Sequence, residues 1–216
     1  MPERGLVAVS KPEVLTEPVL VGRERELEEL ELFLNSAIEG KGKTVFISGE
    51  AGSGKTRIAR EFLNAAWKRG VAIMAGWCLC DAAVPFFPFI EAFNNYYAGF
   101  AQEEDRTSLQ QPQAQLGLGA AAQIGSEELE ITSWLAGPKR AEKPGKAEEL
   151  SPQVWKDQAF VAVARTLHLI AARDPVVLFI EDIHWADSAS LALLHYIARA
   201  INYSERVLVL ATFRSE

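Results

Sequence analysis

Cysteine, methionine and histidine are scarce in this chain of 216 residues, at two, two and three copies. A zinc site needs about four ligands, usually with two residues between paired cysteines. Cys78 and Cys80 are separated by one residue, and His168, His184 and His195 are not arranged to complete a set. Metal and redox roles for the cysteines are therefore excluded. The pair reads as two small buried or half-buried residues on opposite sides of an extended segment. Long hydrophobic runs are also missing: Val176 to Ile180 is far too short to span a bilayer. Met1-Pro2-Glu3-Arg4-Gly5 lacks the apolar core of a secretory signal, which implies a cytoplasmic protein with no membrane partner. Positive charge is in deficit, with a net charge of −7, so a broad nucleic-acid-binding surface is not expected. At 49% hydrophobic and 24% charged, the remainder has the composition of a globular protein with a core.

What stands out instead is Gly49-Glu50-Ala51-Gly52-Ser53-Gly54-Lys55-Thr56. It fits G-x-x-x-x-G-K-[ST], the phosphate-binding loop of nucleoside-triphosphate enzymes. Thr44 to Ser48 before it reads as a short buried strand, and Arg57 to Lys68 after it as a helix. That order is what the chemistry needs. Glycines let the backbone wrap phosphates, and the N–H groups at the helix start face the anion. Lys55 would reach the β- and γ-phosphates of ATP, and the Thr56 hydroxyl would ligate Mg²⁺.

Further along, apolar runs alternate with helical periodicity. Residues 1–18 are proline-interrupted and aperiodic, and read as a loose leader. A helix is expected over Arg23–Glu39, where Leu27, Leu30, Leu34, Ala37 and Ile38 share one face. Strands are expected at Val71–Gly76, Val176–Ile180 and Arg206–Thr212. Further helices are expected at Pro88–Phe100, Gln153–Arg173 and Asp187–Ile201. Residues 101–152 are rich in Gln, Ala and Gly and then in charge, and read as a variable insertion with short helices near 113–123 and 126–135. No internal repeat is visible. Strands alternating with helices imply an α/β fold, with a mostly parallel sheet covered on both faces. Phe86, Phe87, Phe89, Phe93, Tyr96 and Tyr97 read as core and helix face, not as a base-stacking platform.

A second phosphate-chemistry signal is Val176 to Ile180 followed by Glu181 and Asp182. A buried strand ending in acids can aim one carboxylate at Mg²⁺ while its neighbour orients the attacking water. Asp usually comes first in such pairs; here Glu does. By position Glu181 faces the metal and Asp182 the water, and by side-chain type the roles swap. Both assignments stay open. Trp185 is expected to pack, His184 to hydrogen-bond near the acids, and Asp187 to cap the next helix.

Val21-Gly22-Arg23-Glu24-Arg25-Glu26-Leu27, the octapeptide, Glu181-Asp182-Ile183-His184-Trp185-Ala186-Asp187 and Val209-Leu210-Ala211-Thr212-Phe213-Arg214 together resemble one family. It is the origin-recognition-like AAA ATPase domain of multidomain signal-transduction ATPases, the STAND class. Such domains precede effector modules in LuxR-type transcriptional regulators and accompany some adenylate cyclases. The segments Gly76-Trp77-Cys78 and Val84 to Phe89 are also similar to that family's second strand and following helix. The likeness covers about residues 19–100 and 153–216.

The resemblance implies a P-loop NTPase fold for residues 19–216, with sheet order 5-1-4-3-2. Only four strands are visible, so the fifth strand and the helical lid are expected to be missing. The Val45-Phe46-Ile47 strand would then be an edge, and the chain a partial module. It further implies that Val21, Gly22 and Arg23 lie against adenine or ribose and that Arg214 senses the γ-phosphate. The expected activity is that of an ATP-binding switch with slow Mg²⁺-dependent hydrolysis. Partners would be ATP or ADP, effector domains outside this chain, and in some nucleotide states further copies of itself. A non-hydrolysing nucleotide-binding scaffold is the alternative, and a small-molecule kinase a weaker one.

Overall fold

A computed structural model describes residues 22–80, 84–108, 151–201 and 205–215. The leader at 1–18, Val21, and the short helices expected near 113–123 and 126–135 lie outside the described residues. The elements run α1 (Glu24–Ile38), β1 (Lys43–Gly49), α2 (Lys55–Lys68), β2 (Ala72–Trp77), α3 (Phe87–Ser108), α4 (Pro152–Arg173), β3 (Val176–Glu181), a 3-10 turn (Ile183–Trp185), α5 (Ser188–Ala200) and β4 (Val207–Arg214).

The four strands form one parallel sheet in the order β1-β4-β3-β2. Side chains alternate along each strand, so β3 and β4 feed two cores. Leu178, Ile180, Val207 and Val209 join Phe89, Phe93, Val163, Leu167 and Leu193 on the face covered by α3, α4 and α5. Val177, Phe179, Leu208 and Leu210 join Leu30, Leu34, Ile58 and Phe62 on the face covered by α1 and α2. This is the α/β architecture expected, with helices on both faces. From Val176 to Ile180 and from Val207 to Ala211, every residue is at most 5% exposed. Each large side chain buried in this way contributes about 1.5–3 kcal/mol of transfer free energy.

The outer strands differ. β2 is overlaid by the first turn of α3 at Gly76, where an added Cβ would fall 1.8 Å from the Pro88 carbonyl oxygen. Only glycine permits that approach. β1 pairs on one side only among the described residues, and Phe46 is 51% exposed. It touches Phe213 edge-on at a ring separation of 6.3 Å.

Several boundaries move from those expected, for local reasons. α3 continues through Ser108, because Ala101, Gln102, Glu103 and Glu104 are good helix formers; the insertion therefore begins in helix. α4 starts at Pro152, with the Ser151 hydroxyl accepting from the Val154 N–H at 3.4 Å. α2 takes in Lys55 and Thr56, since Gly54 closes the loop. β2 ends at Trp77, so Cys78 lies just past it, buried, and Cys80 is exposed rather than half-buried. Burial and the carboxylates of Asp187 and Asp182 push the Cys78 thiol up to about 12. Phe86, Phe89, Phe93 and Tyr97 are buried in the core, as read from the sequence, and Phe87 and Tyr96 are half-buried.

Candidate nucleotide site

The site lies where β1, β4 and β3 end together. Parallel pairing sets Gly49 beside Arg214, and the Ser215 N–H donates to the Gly49 carbonyl at 3.3 Å. The loop leaving β1 is held by its own groups. The Ser53 N–H donates to the Glu50 carbonyl at 3.2 Å. Lys55 Nζ donates to the carbonyls of Gly49 at 2.9 Å and Glu50 at 2.8 Å. Gly54 precedes the helix with φ +88°, in the left-handed region, which turns the chain into α2 with its first N–H groups facing outward.

β3 delivers its acids differently. The Asp182 N–H donates to the Thr212 hydroxyl at 2.9 Å, and Thr212 is fully buried on β4. Asp182 adopts φ 56° and ψ 50°, a left-handed conformation that Asp tolerates better than most residues. The turn ends the strand and carries the chain into the 3-10 segment. Glu181 is half-buried at the strand end, with its carbonyl accepting from the Cys78 N–H at 3.0 Å.

One cavity of about 510 Å³ unites these parts. It is lined by Ala51, Gly52, Gly54, Lys55 and Thr56 from the loop and helix start, together with Asp182 and Arg214 from the strand ends. Arg214 is the last residue of β4, not a residue beyond it. Glu181 is not among the lining residues. Thr56 and Asp182 offer one hydroxyl and one carboxylate to the same space. That donor set fits Mg²⁺, which takes few protein ligands and fills the rest with phosphate oxygens and water.

A second cavity of about 450 Å³ flanks the loop on the α1 side, lined there by Gly49 and Ser53 and sharing Gly54 and Lys55 with the first. Arg23 stands at its rim, donating to the Ser53 carbonyl at 3.1 Å and pairing with Glu26 at 2.6 Å. That pairing holds the Glu26 carboxyl below its usual range. Gly22 donates its N–H to Glu24 Oε1 at 3.1 Å. His184 Nδ1 lies 3.8 Å from Asp182 Oδ1, outside hydrogen-bond reach, and Trp185 is 41% exposed against the His184 ring rather than packed in the core. Both sit on a one-turn helix too short to enclose them. Asp187 caps α5, its Oδ1 accepting from Ala189 at 2.9 Å and Ser190 at 3.0 Å.

Two lining residues were not singled out from the sequence: Arg57 and Arg60 on α2. Their spacing of three puts them on one helix face with the loop, which was the available signal.

The chain matches the AAA ATPase domain family over residues 19–210, most of its length. It belongs to that family. It is also 26% identical over 192 residues to an uncharacterised protein of Rhizobium meliloti (strain 1021). The alignment takes in 84% of this chain but 17% of that relative, so the AAA ATPase domain corresponds to a small part of a much longer polypeptide. No described helix is long and apolar enough to cross a membrane.

Proposed function

We propose that this AAA ATPase domain binds ATP and works as a nucleotide-dependent switch of the STAND type, hydrolysing the γ-phosphate with Mg²⁺. The observation that carries the reading is the single cavity shared by the loop before α2, Asp182 and Arg214. A phosphate bound there meets the N–H groups opening α2 and the positive end of its dipole. Lys55 exchanges its two loop carbonyls for the β- and γ-phosphate oxygens. Thr56 and Asp182 would hold Mg²⁺, which supplies charge neutralisation to the phosphates. Asp182 also faces the space where water approaches, and Arg214 stabilises charge on the transferring phosphoryl group. Glu181, half-buried at the strand end, is the second candidate acid beside Asp182. Ser53, fastened by Arg23, borders the second cavity, which would take the ribose and adenine.

The nucleotide state would set the orientation of effector domains outside this chain, a role supported by the length of the Rhizobium relative. The functional unit is residues 19–216, with the insertion at about 101–152, acting in the cytoplasm.

Titration calorimetry and phosphate release on wild type, Lys55→Ala, Asp182→Asn and Glu181→Gln test this reading. Lys55→Ala is expected to lose ATP binding by about a hundredfold or more, as removal of charge-assisted bonds to several oxygens implies. Asp182→Asn is expected to keep ATP and lose turnover. Binding without turnover in the wild type would favour the non-hydrolysing scaffold, and phosphate release only on adding an acceptor would favour a kinase. Normal hydrolysis by Asp182→Asn beside a dead Glu181→Gln would reverse the roles of the two acids.

A further inference from the structure

The phosphate-facing cavity holds more positive charge than the octapeptide accounts for. Lys55, Arg57, Arg60 and Arg214 line it against a single acid, Asp182. Among the described residues, none of the three guanidinium groups has a hydrogen-bond or ion-pair partner. Arg23, Arg69 and Arg206 do have partners, whereas Arg25, Arg165 and Arg199 lack them but stand apart on exposed helix faces, so what sets this cluster apart is its gathering in one cavity. This unpaired cluster stands in a chain whose net charge is −7.

The local placement is costly as well. α1 opens with Glu24 and Glu26, which suit the positive end of a helix dipole. α2 has no acid in its first turn, and Lys55, Arg57 and then Arg60 crowd that end instead. Arg57 is half-buried, so it stays close to the cavity wall; Arg60 is exposed. Like charges gathered against an opposing dipole are relieved by an anion that several of them share. The planar guanidinium fork matches pairs of phosphate oxygens. Four cations facing one carboxylate suit a polyphosphate better than a monophosphate.

We propose that Arg57 and Arg60 are nucleotide-binding residues that, with Arg214, neutralise the polyphosphate from the α2 side and let the site hold a nucleoside triphosphate without a divalent cation. This rests on the ATP-binding reading above. It adds two ligand-contacting side chains and separates nucleotide capture from Mg²⁺. It also predicts a preference for triphosphate over diphosphate, since the outermost phosphate meets the cluster.

The test is titration calorimetry of the 216-residue chain with ATP and with ADP, in Mg²⁺ and in EDTA. Variants are Arg57→Gln, Arg60→Gln, the two combined, Arg57→Lys, Arg60→Lys, Lys55→Ala, and the exposed α4 control Arg165→Gln. Circular dichroism melts confirm folding, and Arg60, being exposed, carries the test should Arg57→Gln destabilise the chain. Wild type is expected to bind ATP in EDTA nearly as tightly as in Mg²⁺. Each glutamine substitution should weaken ATP in EDTA by about tenfold, as the loss of a charge-assisted hydrogen bond implies, and ADP by less. The lysine variants should recover part of the loss, because charge returns without the fork. The inference is overturned alone when Lys55→Ala loses ATP but the arginine variants bind it like wild type. It is also overturned when EDTA abolishes wild-type binding, or when Arg165→Gln weakens ATP as much as Arg60→Gln. Absence of nucleotide binding by the wild type in every condition would remove the ATP reading itself.

Discussion

β1 and β3 carry similar apolar segments, Val45-Phe46-Ile47 and Val177-Leu178-Phe179, yet live in opposite environments. β3 lies between β4 and β2 with both faces covered. β1 lies at the margin of the described sheet, and no residue on it is fully buried. Both end at the candidate site, but they hold their ends by different means. The loop after β1 is fastened by its own carbonyls, Lys55 and Arg23. Asp182 after β3 is fastened by a hydroxyl on the neighbouring strand. A site segment can thus be local and self-supporting on a weak strand, or inherited from a rigid one.

The largest expected effect breaks the comparison on stability. Leu178→Ala removes a fully buried side chain from the core under α3 and α5, and should cost about 2–5 kcal/mol. Phe46→Ala removes a half-exposed ring with one aromatic neighbour, and should cost less than about 1 kcal/mol. Urea unfolding of the two variants measures the gap. Equal losses would mean that β1 is enclosed to the same degree as β3.

A smaller effect sharpens the second half of the comparison. Thr212→Val keeps the shape on β4 but removes the acceptor for the Asp182 N–H. The unsatisfied group should cost about 1–3 kcal/mol. Because Asp182 sits in the left-handed region, the lost bond should also loosen its aim. ATP turnover is then expected to fall while ATP affinity stays near wild type. Unchanged turnover would show that the aim of Asp182 does not depend on β4.

This contrast also explains what could be read in the chain before its structure. The octapeptide was legible because its residues are neighbours, and the contacts that shape the loop are six residues apart or fewer, apart from Arg23 and the Ser215 N–H on Gly49. The sheet was legible from continuous apolar runs, and one of its faces from the helical stripe of α1. The different placing of Glu181 and Asp182 was not legible. Adjacent acids look equivalent in a sequence, whereas a left-handed residue after the strand decides which one lines the cavity. Arg57 and Arg60 were not legible either, because arginines on a helix read as a solvated face. Only the approach of Asp182 and Arg214 from distant strands turns that face into a wall. The exposure of Trp185 differs from expectation for a related reason. A tryptophan beside apolar residues suggests burial, but the 3-10 turn carrying it leaves the sheet.

The smallest expected effect tests whether the loop after β1 is self-supporting. Gly54 has φ +88°, and a Cβ built there meets nothing within 4 Å. Gly54→Ala therefore adds no clash, and its whole cost is the backbone preference of an L-residue for the right-handed region, about 1–2 kcal/mol. That cost falls at the junction with α2, where the loop's own hydrogen bonds are short-range and few. The loop should yield before the sheet does. Urea unfolding is then expected to shift by less than that amount, while ATP binding weakens as the N–H groups of Lys55 and Thr56 lose their common direction. A full loss of stability with unchanged ATP affinity would show the reverse: that the sheet, through Gly49 and Arg214, holds the loop rigid and takes up the strain.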